Sequence, residues 1–323
     1  MPSGISVIVP VFNSAEILPE LVDRLHHVLQ ALGCPFEVIL VDDASRDDSF
    51  RAMLAIAAER SWVQPIELTR NYGQHNAVLC GIRAARFDRI ITMDDDLQHP
   101  PEVIPQLLAA LDDDHDVVYG TPLRQQHGLW RDVASWITKL VLQHAMGSEV
   151  ARNISSLRAI RTELREAFAA FQGPYVSIDV LLTYGTTRFG AVAVEHRRRH
   201  SGQSNYTFRK LMRHAVNMLT GFSTMPLRLV TVIGFGCMFL GCGQLAYVLG
   251  RYFLAGGSVP GFAFLASSLS IYSGAQLFAV GVLGEYLARI YSRSLDRPSY
   301  LVRRRPWASS SAKAADDSSR RAA

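Results

Sequence analysis

The sequence predicts an α/β domain, a mostly parallel sheet with helices on both faces, followed by two transmembrane helices. Three observations carry that expectation. In the N-terminal half, short apolar runs alternate with amphipathic segments. Further on, Leu229 to Leu249 and Gly261 to Leu283 contain no Asp, Glu, Lys, Arg or His. With 49% hydrophobic and 19% charged residues among 323, the chain is neither disordered nor collagen-like.

Ile5 to Val11, Phe36 to Val41, Val63 to Leu68, Arg89 to Met93 and Val117 to Tyr119 read as strands, because they are short and largely apolar. The segments near Glu16 to Leu32, Asp47 to Glu59, Gln74 to Ala85 and Glu102 to Leu111 read as the helices between them. In such sheets ligands sit beyond the carboxyl ends of the strands. The opening run Ile5 to Pro10 is too short for a signal peptide and has no basic flank, so this domain is expected to stay in the cytoplasm.

At about 1.5 Å rise per residue, either uncharged stretch is long enough for a hydrocarbon core of about 30 Å. A pair of buried helices in a soluble domain is the alternative. Arg251 is the one basic residue between the stretches, whereas Arg209, Lys210, Arg213 and Arg228 precede them and Arg289, Arg293, Arg297 and Arg303 to Arg305 follow. That asymmetry puts both ends in the cytoplasm. Residues 207–228 interleave Phe208, Leu211, Met212, Val216, Leu219 and Phe222 with basic side chains, as a segment lying on an anionic membrane surface would. Docking on the N-terminal domain is the other reading of this segment. The tail, residues 307–323, is of low complexity and expected to be disordered.

The net charge of +4 comes from 33 basic against 29 acidic residues. Lys139, Lys210 and Lys313 are the only lysines, so the positive charge is mostly guanidinium, which suits bidentate phosphate binding. Cys34, Cys80, Cys237 and Cys242 lack C-x-x-C spacing, which argues against a disulfide scaffold or a zinc ribbon.

The chemistry concentrates at two strand ends. After the fourth strand comes Asp94-Asp95-Asp96-Leu97-Gln98-His99-Pro100-Pro101. In an extended chain Asp94, Asp96 and Gln98 leave on one side, so hard oxygen ligands face one divalent metal, Mg²⁺ or Mn²⁺, which would bridge a diphosphate leaving group. A solvated acidic turn before the next helix is the alternative. After the second strand, Asp42 is placed to accept hydrogen bonds from a nucleoside, while Asp47 fits a helix cap. The sequence has no G-x-x-x-x-G-K-[ST], G-x-G-x-x-G or G-x-S-x-G, which weighs against a P-loop NTPase, a dinucleotide oxidoreductase and a serine hydrolase.

Val9-Pro10-Val11-Phe12-Asn13, Val41-Asp42-Asp43-Ala44-Ser45 and Asp94 to Glu102 resemble the successive signatures of the family 2 glycosyltransferases with a GT-A fold. Asp94 to Glu102 is most like the branch containing dolichol-phosphate mannose synthase and the bacterial polyprenyl-phosphate glycosyltransferases. Arg70-Asn71-Tyr72-Gly73-Gln74-His75, Gly202-Gln203-Ser204-Asn205-Tyr206 and Leu283 to Tyr291 extend the likeness to about residues 4–304.

The resemblance implies a GT-A catalytic domain over 1–206 and a juxtamembrane segment over 207–228. Spans over 229–249 and 261–283 would flank an external loop at 250–260 and lead into a cytoplasmic segment at 284–306. It implies that Pro10, Phe12, Glu16 and Asp42 line the nucleotide pocket, with Arg70, Gln74 and Ser204 also on the donor side. Asp94, Asp96 and Gln98 would hold metal and diphosphate, and Arg131, Ser135 and Arg199 the acceptor phosphate, with Asp95 or Asp96 orienting it. Asn205 stands where many relatives carry lysine, and Arg124 is shifted from the family's position.

The expected reaction is inverting transfer of a sugar, from a UDP-sugar in the first instance, to undecaprenyl phosphate on the cytoplasmic face of a bacterial inner membrane, for envelope glycan or lipid A modification. The implied partners are the nucleotide-sugar, the polyprenyl phosphate, the bilayer and further copies of the chain in a homo-oligomer, a tetramer being one arrangement; nucleic acid is not expected. A membrane-anchored enzyme for a soluble acceptor and a non-catalytic scaffold are the rival readings.

Overall fold

The computed structural model describes residues 1–122, 154–173, 176–194, 224–255, 261–295 and 297–303. These fall into two compact units, one of residues 1–122, 154–173, 176–194 and 298–303, the other of 224–255, 261–295 and 297.

The first unit is built on seven strands, β1 (Ile5–Val11), β2 (Phe36–Asp42), β3 (Val63–Glu67), β4 (Arg89–Thr92), β5 (Val117–Pro122), β6 (Arg158–Arg161) and β7 (Phe189–Val194). They lie in the order β3-β2-β1-β4-β6-β5-β7. β1 pairs in parallel with β2 and β4, β2 with β3, and β5 with β7, while β6 runs antiparallel to both β4 and β5.

Alternation along β1 explains the two layers. Val7, Val9 and Val11 enter one core with apolar residues of α1 (Leu18–Ala31), α2 (Ser49–Glu59) and α4 (Ile104–Ala109). Ile8 enters the other with α3 (Gln74–Ala84) and α5 (Ile178–Leu182). Because both faces are covered, β1 reads as a continuous apolar run and not as an alternating one. α1 presents Leu18, Leu21, Val22, Leu25 and Leu29 as one buried stripe, and its early proline sits where the missing N–H costs nothing. α3 comes close to β1 at Gly81, where a Cβ would collide with Ile8.

The helix expected from Glu102 to Leu111 is instead a 3₁₀ turn, Pro101–Val103, followed by α4. The change of helix type falls at Val103–Ile104, just before Pro105, which fits the first turn of a new helix. β6 was not foreseen, since Arg158 and Arg161 at its ends hide a two-residue apolar centre.

In the second unit, α6 (Met225–Ala255) is long and apolar enough to cross a membrane by length and composition, with a mean hydropathy of 1.8 over its most apolar window. Leu229, Val232, Phe235 and Phe239 on it are exposed. α7 (Gly261–Ser294) contains the uncharged run 261–283 and continues beyond it. The Tyr272 hydroxyl donates to Gln244 Oε1 at 2.9 Å, joining the two helices where Gly241 leaves room for the ring. Residues 250–255 of the expected loop belong to α6. Residues 207–223, 256–260 and 307–323 lie outside the described residues.

Candidate active site

The site is built where β1, β2, β3 and β4 end. Three turns there each hold a non-glycine residue in the left-handed region, Asn13, Ala44 and Leu97, all at φ 56°. Such a residue costs roughly 1–2 kcal/mol, so its surroundings must hold it. Asn13 shows how: its N–H donates to Ser45 Oγ at 3.0 Å and its Oδ1 accepts from the Arg46 N–H at 2.8 Å, locking the β1 and β2 turns together.

These turns enclose a cavity of about 270 Å³ lined by Pro10, Val11, Phe12, Asp43, Asn71, Gly73, Gln74, Asp94, Asp95 and Asp96. The three consecutive aspartates have different tasks. Asp94 accepts from the Gln74 amide and, at 2.6 Å, from the Ser156 hydroxyl. Asp95 points back to the β1 turn, accepting from the Phe12 N–H at 3.1 Å and the Ser14 hydroxyl at 2.5 Å. Asp96 is buried and accepts from the Gln98 N–H at 3.1 Å. Burial pushes the Asp94 carboxyl up to about 6, with further upward pressure from the Asp96 and Asp95 charges against the Ser156 hydrogen bond. Burial likewise raises Asp95 above its ordinary value.

Asp43 closes the opposite wall. Its carboxylate accepts from the Tyr72 N–H at 2.7 Å and the Gly73 N–H at 2.8 Å, and burial raises it. Gly73 has φ 92°, a backbone conformation that side-chain-bearing residues rarely adopt, and it starts α3 so that Gln74 faces Asp94.

A second cavity of about 210 Å³ shares Pro10, Gln74 and Asp94 with the first and adds His75, Thr92, Ser155, Ser156, Arg158 and Asp179 among its lining residues. Arg158 and Asp179 form a buried ion pair at 2.6 Å, and the fully buried Tyr119 donates its hydroxyl to the same Asp179 oxygen at 3.0 Å.

Of the residues singled out in the sequence, Pro10, Phe12, Gln74, Asp94, Asp95 and Asp96 meet at the first cavity. Asp42, Glu16, Arg70 and Gln98 are not among its lining residues. Asp42 is buried, accepts from the Ser45 N–H at 3.2 Å and is raised by that burial. Glu16 is exposed, and Arg70 lies 4.6 Å over the Tyr72 ring. Gln98 meets the cluster through its backbone N–H. Arg131, Ser135, Arg199, Ser204, Asn205 and Arg124 lie outside the described residues. Asp43, Asn71, Gly73, Ser156, Arg158 and Asp179 were not singled out. Asp43 carried a signal, since it is as acidic as Asp42 and one place nearer the strand-end turn.

Residues 6–168 match the family described as glycosyl transferase family 2. The chain belongs to that family. It is 36% identical over 303 residues to an undecaprenyl-phosphate 4-deoxy-4-formamido-L-arabinose transferase of Klebsiella pneumoniae, covering 93% of each chain. It is also 36% identical to the transferase of the same description from Pseudomonas aeruginosa, covering 93% of this chain and 89% of that one. Among solved structures, glucosyl-3-phosphoglycerate synthase from Mycobacterium tuberculosis, in complex with Mn²⁺, UDP-glucose and phosphoglyceric acid, superposes with a TM-score of 0.52. That match is 17% identical and covers 68% of this chain and 78% of that one, so it speaks for the GT-A fold alone. As a family 2 glycosyltransferase, the chain is an enzyme of sugar transfer on an α/β GT-A unit.

Proposed function

We propose that this glycosyltransferase moves a sugar from a nucleotide-sugar, with UDP-sugars the first candidates, to undecaprenyl or another polyprenyl phosphate. The observation that carries the reading is the carboxylate wall Asp94-Asp95-Asp96 facing Pro10, Phe12 and Gly73 across one cavity. The names of the relatives, at 36% identity over nearly the whole chain, support the acceptor class, and an envelope role such as lipid A modification is part of the proposal.

Among the described residues no three His, Cys, Asp or Glu side chains are arranged as a ready-made metal site, so a divalent cation here would rest on the two carboxylates Asp94 and Asp96 together with the donor diphosphate. Burial and the neighbouring Asp96 and Asp95 charges raise Asp94, and a hard cation bound beside Asp94 and Asp96 would relieve that. Gln98 would complete that set, and Mg²⁺ or Mn²⁺ would supply charge neutralisation to the departing diphosphate. Phe12, 45% exposed among the residues lining the first cavity, is proposed to stack on the nucleoside, with Asp42, Glu16 and Arg70 proposed as further nucleotide contacts although none of the three lines that cavity.

In the proposed step an oxygen of the lipid phosphate attacks the anomeric carbon from the face opposite the nucleotide. The bond from that carbon to the diphosphate oxygen breaks, and the electron pair leaves with the nucleoside diphosphate. A phosphate monoester has its second pKa near 6, so positioning matters more than proton abstraction. Arg131, Ser135 and Arg199 are proposed for that positioning. Asp95 supports the β1 turn through Phe12 and Ser14.

The acceptor explains a membrane anchor, since each buried CH₂ holds a lipid in the bilayer by about 0.8 kcal/mol and the enzyme must come to it. Two spans, both termini in the cytoplasm, a catalytic part over 1–206 and a homo-oligomer complete the proposal. Transfer of radiolabelled sugar from a UDP-sugar panel, including the 4-deoxy-4-formamido-arabinose donor, to undecaprenyl phosphate tests it. Metal-dependent formation of a lipid-linked monosaccharide, absent in Asp96→Ala, is the expected result. Transfer to a soluble acceptor without the lipid, or donor binding without any transfer, would overturn it.

A further inference from the structure

After α7 the chain returns to the first unit. Val302 forms an antiparallel bridge with Leu68, just past β3, the edge strand of the sheet. The Arg303 N–H donates to the Glu67 carbonyl at 2.8 Å and the Thr69 N–H to the Leu301 carbonyl at 2.9 Å. Side chains add to this. Arg303 Nε lies 3.3 Å from Glu67 Oε1, and Ser299, which is buried, accepts from the Gly173 N–H at 3.2 Å. The Arg83 guanidinium on α3 lies 5.7 Å from the Tyr300 ring centre, and Tyr300 packs against the core that contains Cys80.

The element so grasped carries the donor wall. Between β3 and α3 runs Thr69–Gly73, of which Arg70 and Asn71 are exposed and Tyr72 alone packs against the hydrophobic core, so the rest of the loop depends on hydrogen bonds for its position. Its inner end is fixed by Asp43, which takes the Tyr72 and Gly73 N–H groups. Its outer end is fixed by Glu67 and Thr69, whose backbone partners are Arg303 and Leu301. Thr69 passes the constraint inward through its hydroxyl, 3.1 Å from the Tyr72 hydroxyl. Asn71, Gly73 and Gln74 then line the first cavity. An unpaired edge strand leaves its N–H and C=O groups to water, and here the returning chain supplies partners at the place where the loop departs.

We infer that Pro298–Arg303 is a strap that positions the donor-binding loop Asn71–Gln74, with Arg303 and Tyr300 as its positioning residues. The donor role of that loop rests on the proposed function, whereas its ordering by the strap does not.

The test uses the full-length protein in nanodiscs, as wild type, Arg303→Ala, Arg303→Lys and Tyr300→Ala. Hydrogen exchange is read on peptides covering Thr69–Gln74 and, as a reference, Arg89–Thr92. UDP affinity is measured by titration in the presence of Mn²⁺. Arg303→Ala and Tyr300→Ala should speed exchange in the loop and leave the reference unchanged. They should weaken UDP binding about fivefold to twentyfold, the size expected for losing one or two hydrogen bonds and a packed ring. Arg303→Lys keeps the positive charge beside Glu67 that Arg303→Ala removes, and should stay within about twofold. In transfer assays the donor KM should rise while the KM for undecaprenyl phosphate holds. Unchanged loop exchange in both alanine variants would overturn the inference, as would faster exchange with unchanged UDP affinity. A reference peptide that loosens equally would mean the segment merely stabilises the unit, which also overturns it. If wild type binds no UDP, the donor reading fails on its own, and the exchange comparison still decides the strap.

Discussion

At Gly73 a single backbone angle sets the donor wall. With φ at 92°, any side chain at this position strains the turn by about 1–3 kcal/mol. Gly73→Ala is therefore expected to weaken nucleotide binding while the sheet stays folded, which isothermal titration and circular dichroism together would check. Asp94 yields a prediction with a sign. Its ordinary value is 3.8 and in the folded chain it is pushed up to about 6, so the folded state holds this proton more tightly than the unfolded state. The stability that follows is present below pH 3.8 and is lost as pH rises through 6. Asp94→Asn never carries the charge, so it should stabilise the metal-free protein by up to about 3 kcal/mol at pH 8 and by little at pH 4. Thermal unfolding in EDTA at the two pH values measures this, and the same variant should lose transfer. Added Mn²⁺ should raise the melting temperature of wild type and not of Asp94→Asn.

Among the elements, the strands of the sheet differ in how openly the sequence announced them. β1 and β2 are long apolar runs buried on both faces, so their limits were legible to within a residue. β6 was not, because four residues of the pattern Arg-Ala-Ile-Arg have no period to read, and its pairing with β4 and β5 is a tertiary fact. Its cost is visible in the buried pair Arg158–Asp179. Removing one partner leaves an uncompensated buried charge, so Asp179→Ala should destabilise the unit by about 3–5 kcal/mol. Replacing the pair together, as Arg158→Met with Asp179→Leu, should cost less than the single change, although Tyr119 then loses its acceptor. Chemical denaturation of the three proteins gives the comparison.

For the whole molecule, α6 is the feature with the clearest physical consequence. Its exposed Leu229, Val232, Phe235 and Phe239 would form an apolar surface far too costly to leave in water. The protein is expected to sediment with membranes, to resist extraction by alkaline carbonate and to dissolve only with detergent; recovery in the soluble fraction would count against a span. What the sequence determined by itself is whatever depends on near neighbours along the chain. That includes the strand-helix alternation, the uncharged runs 229–249 and 261–283, and an acidic turn after an apolar strand. Only the tertiary structure decided which of these residues share a cavity. It set Asp43 and not Asp42 on the wall, turned Asp95 back to the β1 turn, and brought Ser156 and Gln74 to the two oxygens of Asp94. It also returned Arg303 to Glu67. The physical reason is range: periodicity and turn chemistry act over a few residues, whereas side-chain direction at a strand end follows from packing between segments far apart in the chain.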